Sequence, residues 1–130
     1  SKPDEKSLRN KVERWNKIAA SAAEQSGRGA VPQVITLKSY TQALERAATA
    51  DTCLFFYENE QATTLNMALQ EHDYKTVSVM TGPEGGFEQA EVEKAADTGM
   101  RICTLGKRIL RCETAPLCAL SAIMYASGEF

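Results

Sequence analysis

The stretch Thr76–Phe87, with the sequence TVSVMTGPEGGF, carries the clearest signal for the fold. It begins with five residues of strand character and passes into a glycine-rich turn. The segment Glu88–Thr98 follows, with apolar residues at helical spacing and Gly99 after its last turn. Strand, turn and helix in this order predict a β–α unit.

The same alternation extends on both sides of this unit. Further strands are predicted at Val34–Leu37, Thr52–Tyr57 and Arg101–Leu105, and further helices over residues 1–27, 39–50 and 61–70 and from Thr114 onward. Short strands separated by helices predict an α/β fold, with a mainly parallel sheet flanked by helices.

Three loops are predicted to lie at the carboxyl edge of this sheet, where α/β proteins bind ligands. They are Glu58–Gln61, Gly82–Phe87 and Gly106–Glu113. We expect the strands that end at Thr81 and Leu105 to be neighbours, so that their two loops enclose one ligand.

Length and composition limit the function classes. The chain has 130 residues, which fits one domain, and 43% of them are hydrophobic. Its formal net charge of −2 means that overall positive charge cannot drive binding to nucleic acid, so any RNA affinity must come from a local patch or from a missing part. No apolar run approaches the ~20 residues that cross a bilayer, and no signal peptide opens the sequence. We therefore expect a cytoplasmic protein with no membrane partner.

The cysteines and the histidine argue against a metal site. Cys53, Cys103, Cys112 and Cys118 are not spaced as zinc ligands, and we expect them to be small buried side chains in a reducing compartment. His72 is the one histidine, which argues against a His-based metal site or a Ser/His triad.

The turn Gly82–Phe87 allows two interpretations. Glycine lets a ligand approach the backbone closely, but a tight strand-to-helix turn with no ligand needs the same residues. The sequence lacks the Gly-Lys-Ser/Thr ending of a nucleotide-binding P-loop.

The stretch Leu105–Pro116, LGKRILRCETAP, places three cations around two large apolar residues. An extended backbone there would turn Arg111 and Glu113 to the same side, where the carboxylate orients the guanidinium toward an anion. A basic turn exposed to solvent is the alternative.

Several stretches together resemble one family. They are ERWNKIA at 13–19, AAEQSGR at 22–28, GPEGGF at 82–87, LGKRILR at 105–111 and ETAPL at 113–117. In this order and spacing they are similar to the 16S ribosomal RNA uridine-N3 methyltransferases, a family of the SPOUT superfamily of knotted methyltransferases. The resemblance implies a C-terminal trefoil knot, a homodimer, S-adenosylmethionine as the cofactor, and methylation of N3 of one uridine in the RNA of the small ribosomal subunit.

The resemblance also implies roles for individual residues. The cofactor-binding positions are Gly82, Pro83, Glu84, Gly85, Gly86, Leu105, Gly106, Ile109, Leu110 and Thr114. Glu58, Lys107 and Arg108 are implied on the substrate side. Arg111 is the expected catalytic cation, since it stabilises negative charge on the uracil ring, and Glu113 is its orienting group or a proton acceptor.

Residues 1–130 lack two parts that this family carries: an N-terminal RNA-binding domain of the PUA-like kind and a first β–α element of the knotted domain. We therefore expect a partial SPOUT domain. Two other functions stay open: another SPOUT activity, such as methylation of a ribose 2′-oxygen, and a non-catalytic knotted dimerisation module.

Overall fold

The computed structural model describes residues 4–130. The chain divides into two compact units, the second of which is Ser39–Phe130, while the first covers the described residues up to Lys38. The first three positions of the predicted N-terminal helix, including Pro3, lie outside the described residues.

The first unit is built on a long helix, α1 (Glu5–Ser26). The Asp4 side chain accepts a hydrogen bond from the Ser7 N–H at 2.6 Å and caps its start, and Gly27 ends it in the left-handed conformation, with φ of 75°. The predicted N-terminal helix is thus confirmed over the described residues.

The strand predicted at Val34–Leu37 is wrong, because the structure has no strand there. The Val34 N–H donates to Asn16 Oδ1 at 2.7 Å, and Asn16 Nδ2 donates to the Val34 carbonyl at 2.9 Å. A side-chain amide therefore satisfies the backbone groups that a neighbouring strand would otherwise pair.

The second unit alternates helices and strands as predicted. Its elements are α2 (Tyr40–Ala47), β1 (Thr52–Phe56), α3 (Leu65–Leu69), β2 (Val77–Met80), α4 (Gln89–Thr98), β3 (Arg101–Cys103) and α5 (Ala115–Ala126). Helix α3 is shorter than predicted, because Glu60 accepts the N–H groups of Ala62 and Thr63, both at 3.0 Å, and holds this stretch as a loop. Thr64 then caps the helix by accepting from the Met67 N–H.

The three strands form one parallel sheet in the order β2-β1-β3. The predicted fold class, a parallel sheet flanked by helices, is confirmed. The expectation that the strands ending at Thr81 and Leu105 are neighbours is wrong, since β1 lies between them. The apolar run of β1 explains the order, because a strand buried on both faces is favoured at the centre of a sheet.

Alternating side chains of β1 divide between two hydrophobic clusters. Leu54 and Phe56 pack with α3 and α5, whereas Phe55 packs with Leu44 of α2 and Val92 of α4. After β1 the chain therefore continues on the face of the sheet that α3 and α5 cover, and after β2 it continues on the opposite face, which α2 and α4 cover. This is a topological switch point, and α/β sheets bind ligands in the crevice there.

No helix among residues 4–130 is both long enough and apolar enough to span a bilayer.

Candidate functional site

A cavity of about 440 Å³ lies at the carboxyl edge of the sheet. All three loops contribute to it: residues after β1, the glycine turn after β2, and the basic loop after β3. Its volume falls in the range of small-molecule sites, about 300–1,000 Å³. The two loops expected to share a ligand therefore do share a cavity, although their strands are not neighbours.

The glycine turn has internal reasons for its glycines. The Gly86 N–H donates to the Pro83 carbonyl at 2.9 Å, and Gly86 has a φ of 73°. A Cβ added at Gly86 would lie 3.0 Å from Glu58 Oε1, and one added at Gly82 would lie 3.0 Å from the Phe87 ring. The tight turn thus explains why both positions are glycine. It does not explain the cavity beside them.

Phe87 anchors this turn to the hydrophobic core. Its ring centroid lies 4.3 Å from that of Phe55, a fully buried residue of β1. Such a pair of packed rings holds the end of the turn in place while its other side faces the cavity.

Hydrogen bonds hold the start of the basic loop, whereas the backbone N–H groups after it have no partner among the described residues. Thr104 Oγ1 accepts from the Gly106 N–H at 3.2 Å and donates to the Gly106 carbonyl at 2.9 Å. The next N–H groups, those of residues 107–110, have no hydrogen-bond partner among the described residues. Ile109 lines the cavity while 78% exposed. The loop thus offers free backbone donors beside an uncovered apolar side chain.

The cations of this loop form no ion pairs with the other described residues. Within residues 4–130, neither Lys107, Arg108 nor Arg111 has a carboxylate within 4.0 Å. The backbone between Arg111 and Glu113 is not extended, because residues 112–114 form a turn in which the Thr114 N–H donates to the Arg111 carbonyl at 2.9 Å. Both residues nevertheless line the cavity.

A family model described as an RNA methyltransferase domain matches residues 1–124. The chain belongs to this family. The prediction of a methyltransferase from the sequence is confirmed at the family level.

Named relatives and solved structures agree with the assignment to the RNA methyltransferase domain family. The chain is 43% identical to the ribosomal RNA small subunit methyltransferase E of Bacillus subtilis, over 95% of this chain and 50% of that protein. The structure of the enzyme of that name from Neisseria gonorrhoeae, bound to S-adenosylmethionine, superposes with a TM-score of 0.80 at 39% identity, covering 90% of this chain and 48% of that one. A Legionella pneumophila structure with bound S-adenosylmethionine gives 0.83 at 29% identity, covering 97% and 50%.

The chain spans about half the length of the curated relatives it matches. It therefore corresponds to one part of proteins that are about twice as long.

Most of the site residues predicted for this RNA methyltransferase domain meet at the cavity. Those that line it are Glu58, Gly82, Pro83, Glu84, Gly86, Leu105, Gly106, Lys107, Arg108, Ile109, Leu110, Arg111 and Glu113. Gly85 and Thr114 do not line it. Gly85 lies at the outer bend of the turn, where an added Cβ would meet no atom within 4 Å. Thr114 immediately precedes α5, and its N–H donates to the Arg111 carbonyl in the turn before the helix.

The cavity also has lining residues that sequence reasoning missed, among them Tyr57, Thr104 and Cys112. Tyr57 continues β1 into the cavity wall, where its hydroxyl donates to Gln89 Oε1 at 3.3 Å. The position of Tyr57 at the end of a predicted buried strand, next to Glu58, is the sequence signal that could have identified it.

The Cys112 thiol lies beside two carboxylates of the cavity. Its Sγ lies 3.5 Å from Glu113 Oε2 and also interacts with the Glu84 carboxylate of the glycine turn. Partial burial, together with these two carboxylates, raises the pKa of the Cys112 thiol above its ordinary value, so the group stays protonated at neutral pH.

The other cysteines follow the expectation in part. Cys103 is fully buried, and its burial raises the pKa of the thiol to about 12. The expectation of burial is wrong for Cys118, which is exposed on α5.

Within residues 4–130, no three or more histidine, cysteine, aspartate or glutamate side chains are grouped so as to hold a metal ion.

Proposed function

We propose that this chain is the cofactor-binding part of an S-adenosylmethionine-dependent methyltransferase that acts on N3 of a uridine in 16S ribosomal RNA. The observation that carries the proposal is the single cavity where the glycine turn and the basic loop meet at the switch point of the sheet. The names of the relatives support small-subunit ribosomal RNA as the substrate.

The cavity residues fit the cofactor. The free N–H groups of residues 107–110 suit the nitrogen acceptors of an adenine ring, and the exposed Ile109 side chain suits its apolar face. The turn that contains Gly82, Pro83, Glu84 and Gly86 is the proposed contact for the methionine and ribose parts, with Gly85 and Thr114 supporting the two loops from outside the cavity. When bound, S-adenosylmethionine supplies an electrophilic methyl group.

Arg111 and Glu113 are the proposed catalytic residues. Uridine N3 must lose its proton before or as it is methylated, which leaves negative charge spread over N3 and the two carbonyl oxygens beside it. The Arg111 guanidinium, which has no carboxylate partner among residues 4–130, is available to stabilise that charge. Glu113 lines the same cavity and is the proposed proton acceptor.

The substrate side is assigned to Glu58, Lys107 and Arg108. Lys107 and Arg108 are exposed at the cavity and suit RNA phosphates. Glu58 lies beside Gly86 at the centre of the site, where its carboxylate is an acceptor for a nucleobase N–H.

The architecture supports two further proposals. The segment after β3 is the proposed knotted part, because α5 packs against Leu54 and Phe56 of β1 and Ser127, just after α5, shares a hydroxyl–hydroxyl hydrogen bond of 3.0 Å with Tyr74, which precedes β2. A homodimer formed through α5 is also proposed, because Leu117, Leu120 and Tyr125 are 68%, 51% and 73% exposed on this helix. We also propose a cytoplasmic location, because the proposed substrate is ribosomal RNA.

Calorimetric titration of the chain with S-adenosylmethionine and S-adenosylhomocysteine tests the cofactor. We expect one saturable site per chain, and a folded chain that binds neither would overturn the proposal and leave a dimerisation module.

Nucleoside analysis of 16S rRNA treated with the complete protein tests the target atom. N3-methyluridine is the expected product, and a 2′-O-methylated nucleoside would assign the other SPOUT activity.

A further inference from the structure

The polar side of α1 carries a cluster of cations that the cavity does not use. Lys6, Asn10 and Arg14 follow one another at four-residue steps, and Ser7 and Lys11 lie beside them, so all five share one side of the helix. Together with the capping residue Asp4, these residues line one shallow depression. We call Lys6, Lys11 and Arg14 the basic face of α1.

These three cations take no part in ion pairs. Among residues 4–130, none of them has a carboxylate within 4.0 Å, whereas Lys17 on the same helix pairs with Glu13 at 3.8 Å. All three are exposed, so their charges do not serve the packing of the first unit.

The helix dipole does not explain the position of these cations. Cations stabilise the last turn of a helix and destabilise the first, because of the dipole. Lys6 lies in the first turn of α1, beside the favourable acidic residues Asp4 and Glu5, and the last turn has no basic residue. Lys11 and Arg14 lie in the middle of the helix, where the dipole has little effect, so the stability of the helix does not require the basic face.

The basic face also contrasts with the chain as a whole. Seventeen acidic residues outnumber fifteen basic ones overall, whereas the first thirteen residues of α1 (5–17) hold Lys6, Arg9, Lys11, Arg14 and Lys17 against Glu5 and Glu13. Exposed charges act over about 10 Å at ordinary ionic strength, so this local excess attracts a polyanion even though the net charge is negative.

We propose that the basic face of α1 binds phosphate groups of the RNA backbone, independently of RNA sequence. This inference rests on the proposed function, in which RNA is the substrate. Lys6 and Lys11 supply ammonium donors, Arg14 a guanidinium fork, and Ser7 and Asn10 neutral donors to phosphate oxygens. The contact adds a second RNA-binding region to the cations at the cavity.

The test compares two triple variants that each lose three positive charges. Lys6→Gln/Lys11→Gln/Arg14→Gln removes the basic face, and Arg46→Gln/Lys75→Gln/Lys94→Gln removes the same charge from the second unit. Glutamine has nearly the helix propensity of lysine, so α1 is retained, which circular dichroism checks. Fluorescence anisotropy measures the binding of a short labelled single-stranded RNA between about 50 and 200 mM KCl.

Loss of three phosphate contacts lowers the slope of log affinity against log salt by about 2, and affinity near 0.1 M salt falls on the order of 100-fold. The control variant is expected to keep the slope of the unmodified chain. The inference is overturned if both variants weaken binding equally, if the first variant binds normally, or if the unmodified chain shows no salt-dependent RNA affinity. S-adenosylmethionine titration of the same variants separates this result from a failure of the proposed function, because cofactor affinity should stay unchanged in all of them.

Discussion

The two edges of the sheet use polar groups in opposite ways. At the amino edge, Asp51 Oδ2 accepts the N–H groups of Lys75 and Thr76 at 2.7 and 3.1 Å, and the Asp51 N–H donates to Thr76 Oγ1 at 2.9 Å. Thr52 Oγ1 lies 3.0 Å from His72 Nε2, which also lies 2.9 Å from the Asp51 carbonyl. Polar groups here satisfy one another and join the starts of β1 and β2.

At the carboxyl edge, several polar groups of the basic loop have no partner among residues 4–130. Arg111 and its neighbouring cations have no carboxylate within 4.0 Å among residues 4–130, and the N–H groups of residues 107–110 lack partners there. Such groups contribute little to folding, so they are available to a ligand. Changes to these open groups should therefore alter binding and catalysis, while changes to the paired groups of the amino edge should alter stability alone.

The largest effect is expected for Arg111→Ala. Removing one donor that stabilises developing negative charge costs on the order of 10²–10³ in kcat. We expect a loss of this size in the methylation of 16S rRNA at saturating substrate, with an unchanged melting temperature because Arg111 is exposed. Arg46→Ala, an exposed arginine on α2, is the control, and normal turnover in Arg111→Ala would remove this residue from the mechanism.

Ile109→Ala should weaken cofactor binding without affecting folding. The side chain is 78% exposed, so no core packing is lost, but an adenine ring would cover it. Losing three buried carbon atoms costs about 2 kcal/mol, or roughly 30-fold in Kd. Calorimetry measures this, with Met67→Ala as the control on α3, and equal affinities in the two variants would place the adenine elsewhere.

Gly86→Ala and Gly85→Ala separate the two interpretations of the glycine turn. Gly86 has a positive φ and little space beside Glu58, so alanine should lower the free energy of unfolding by about 1 kcal/mol. Gly85 has open space for a Cβ and is not in the left-handed region, so alanine there should be tolerated. Urea denaturation tests the pair, and equal stabilities would contradict the described turn.

The smallest effect is expected for Asp51→Asn, at the amino edge. Backbone N–H donors from Lys75 and Thr76 hold the pKa of the Asp51 carboxyl below its ordinary value. Its stabilising contribution is therefore present above about pH 4, the unfolded value, and is lost as the pH falls through the lower folded pKa. Asp51→Asn should melt at a lower temperature at neutral pH, and the difference should narrow in acid.

Asp73→Asn is the control for that comparison, because Asp73 is exposed and makes no hydrogen bond to the other described residues. Cofactor affinity should be the same in both variants, and a loss of binding in Asp51→Asn would contradict the separation of the two edges.

The sequence was sufficient for the order and type of the helices and strands of the second unit, though not for the start of α3, since most of these elements depend on local signals. Ser39 caps α2, Gly99 ends α4 in the left-handed conformation, and Pro116 lies in the first turn of α5, as their residue types predict. It was not sufficient at Val34, because the amide of Asn16 replaces the neighbouring strand, and a contact between residues 18 apart leaves no local pattern.

The spacing of strands and helices by itself determined a parallel α/β sheet, and the resemblance of five stretches to a known family indicated the methyltransferase family and most of the residues around the cavity. The tertiary structure was needed to show that β1 separates the two loop-bearing strands, that Gly85 and Thr114 stay outside the cavity, and that the Cys112 thiol lies beside the carboxylates of Glu84 and Glu113. The reason is physical: motifs report the backbone conformation of a few consecutive residues, whereas strand order and side-chain meetings depend on how distant apolar surfaces are buried together.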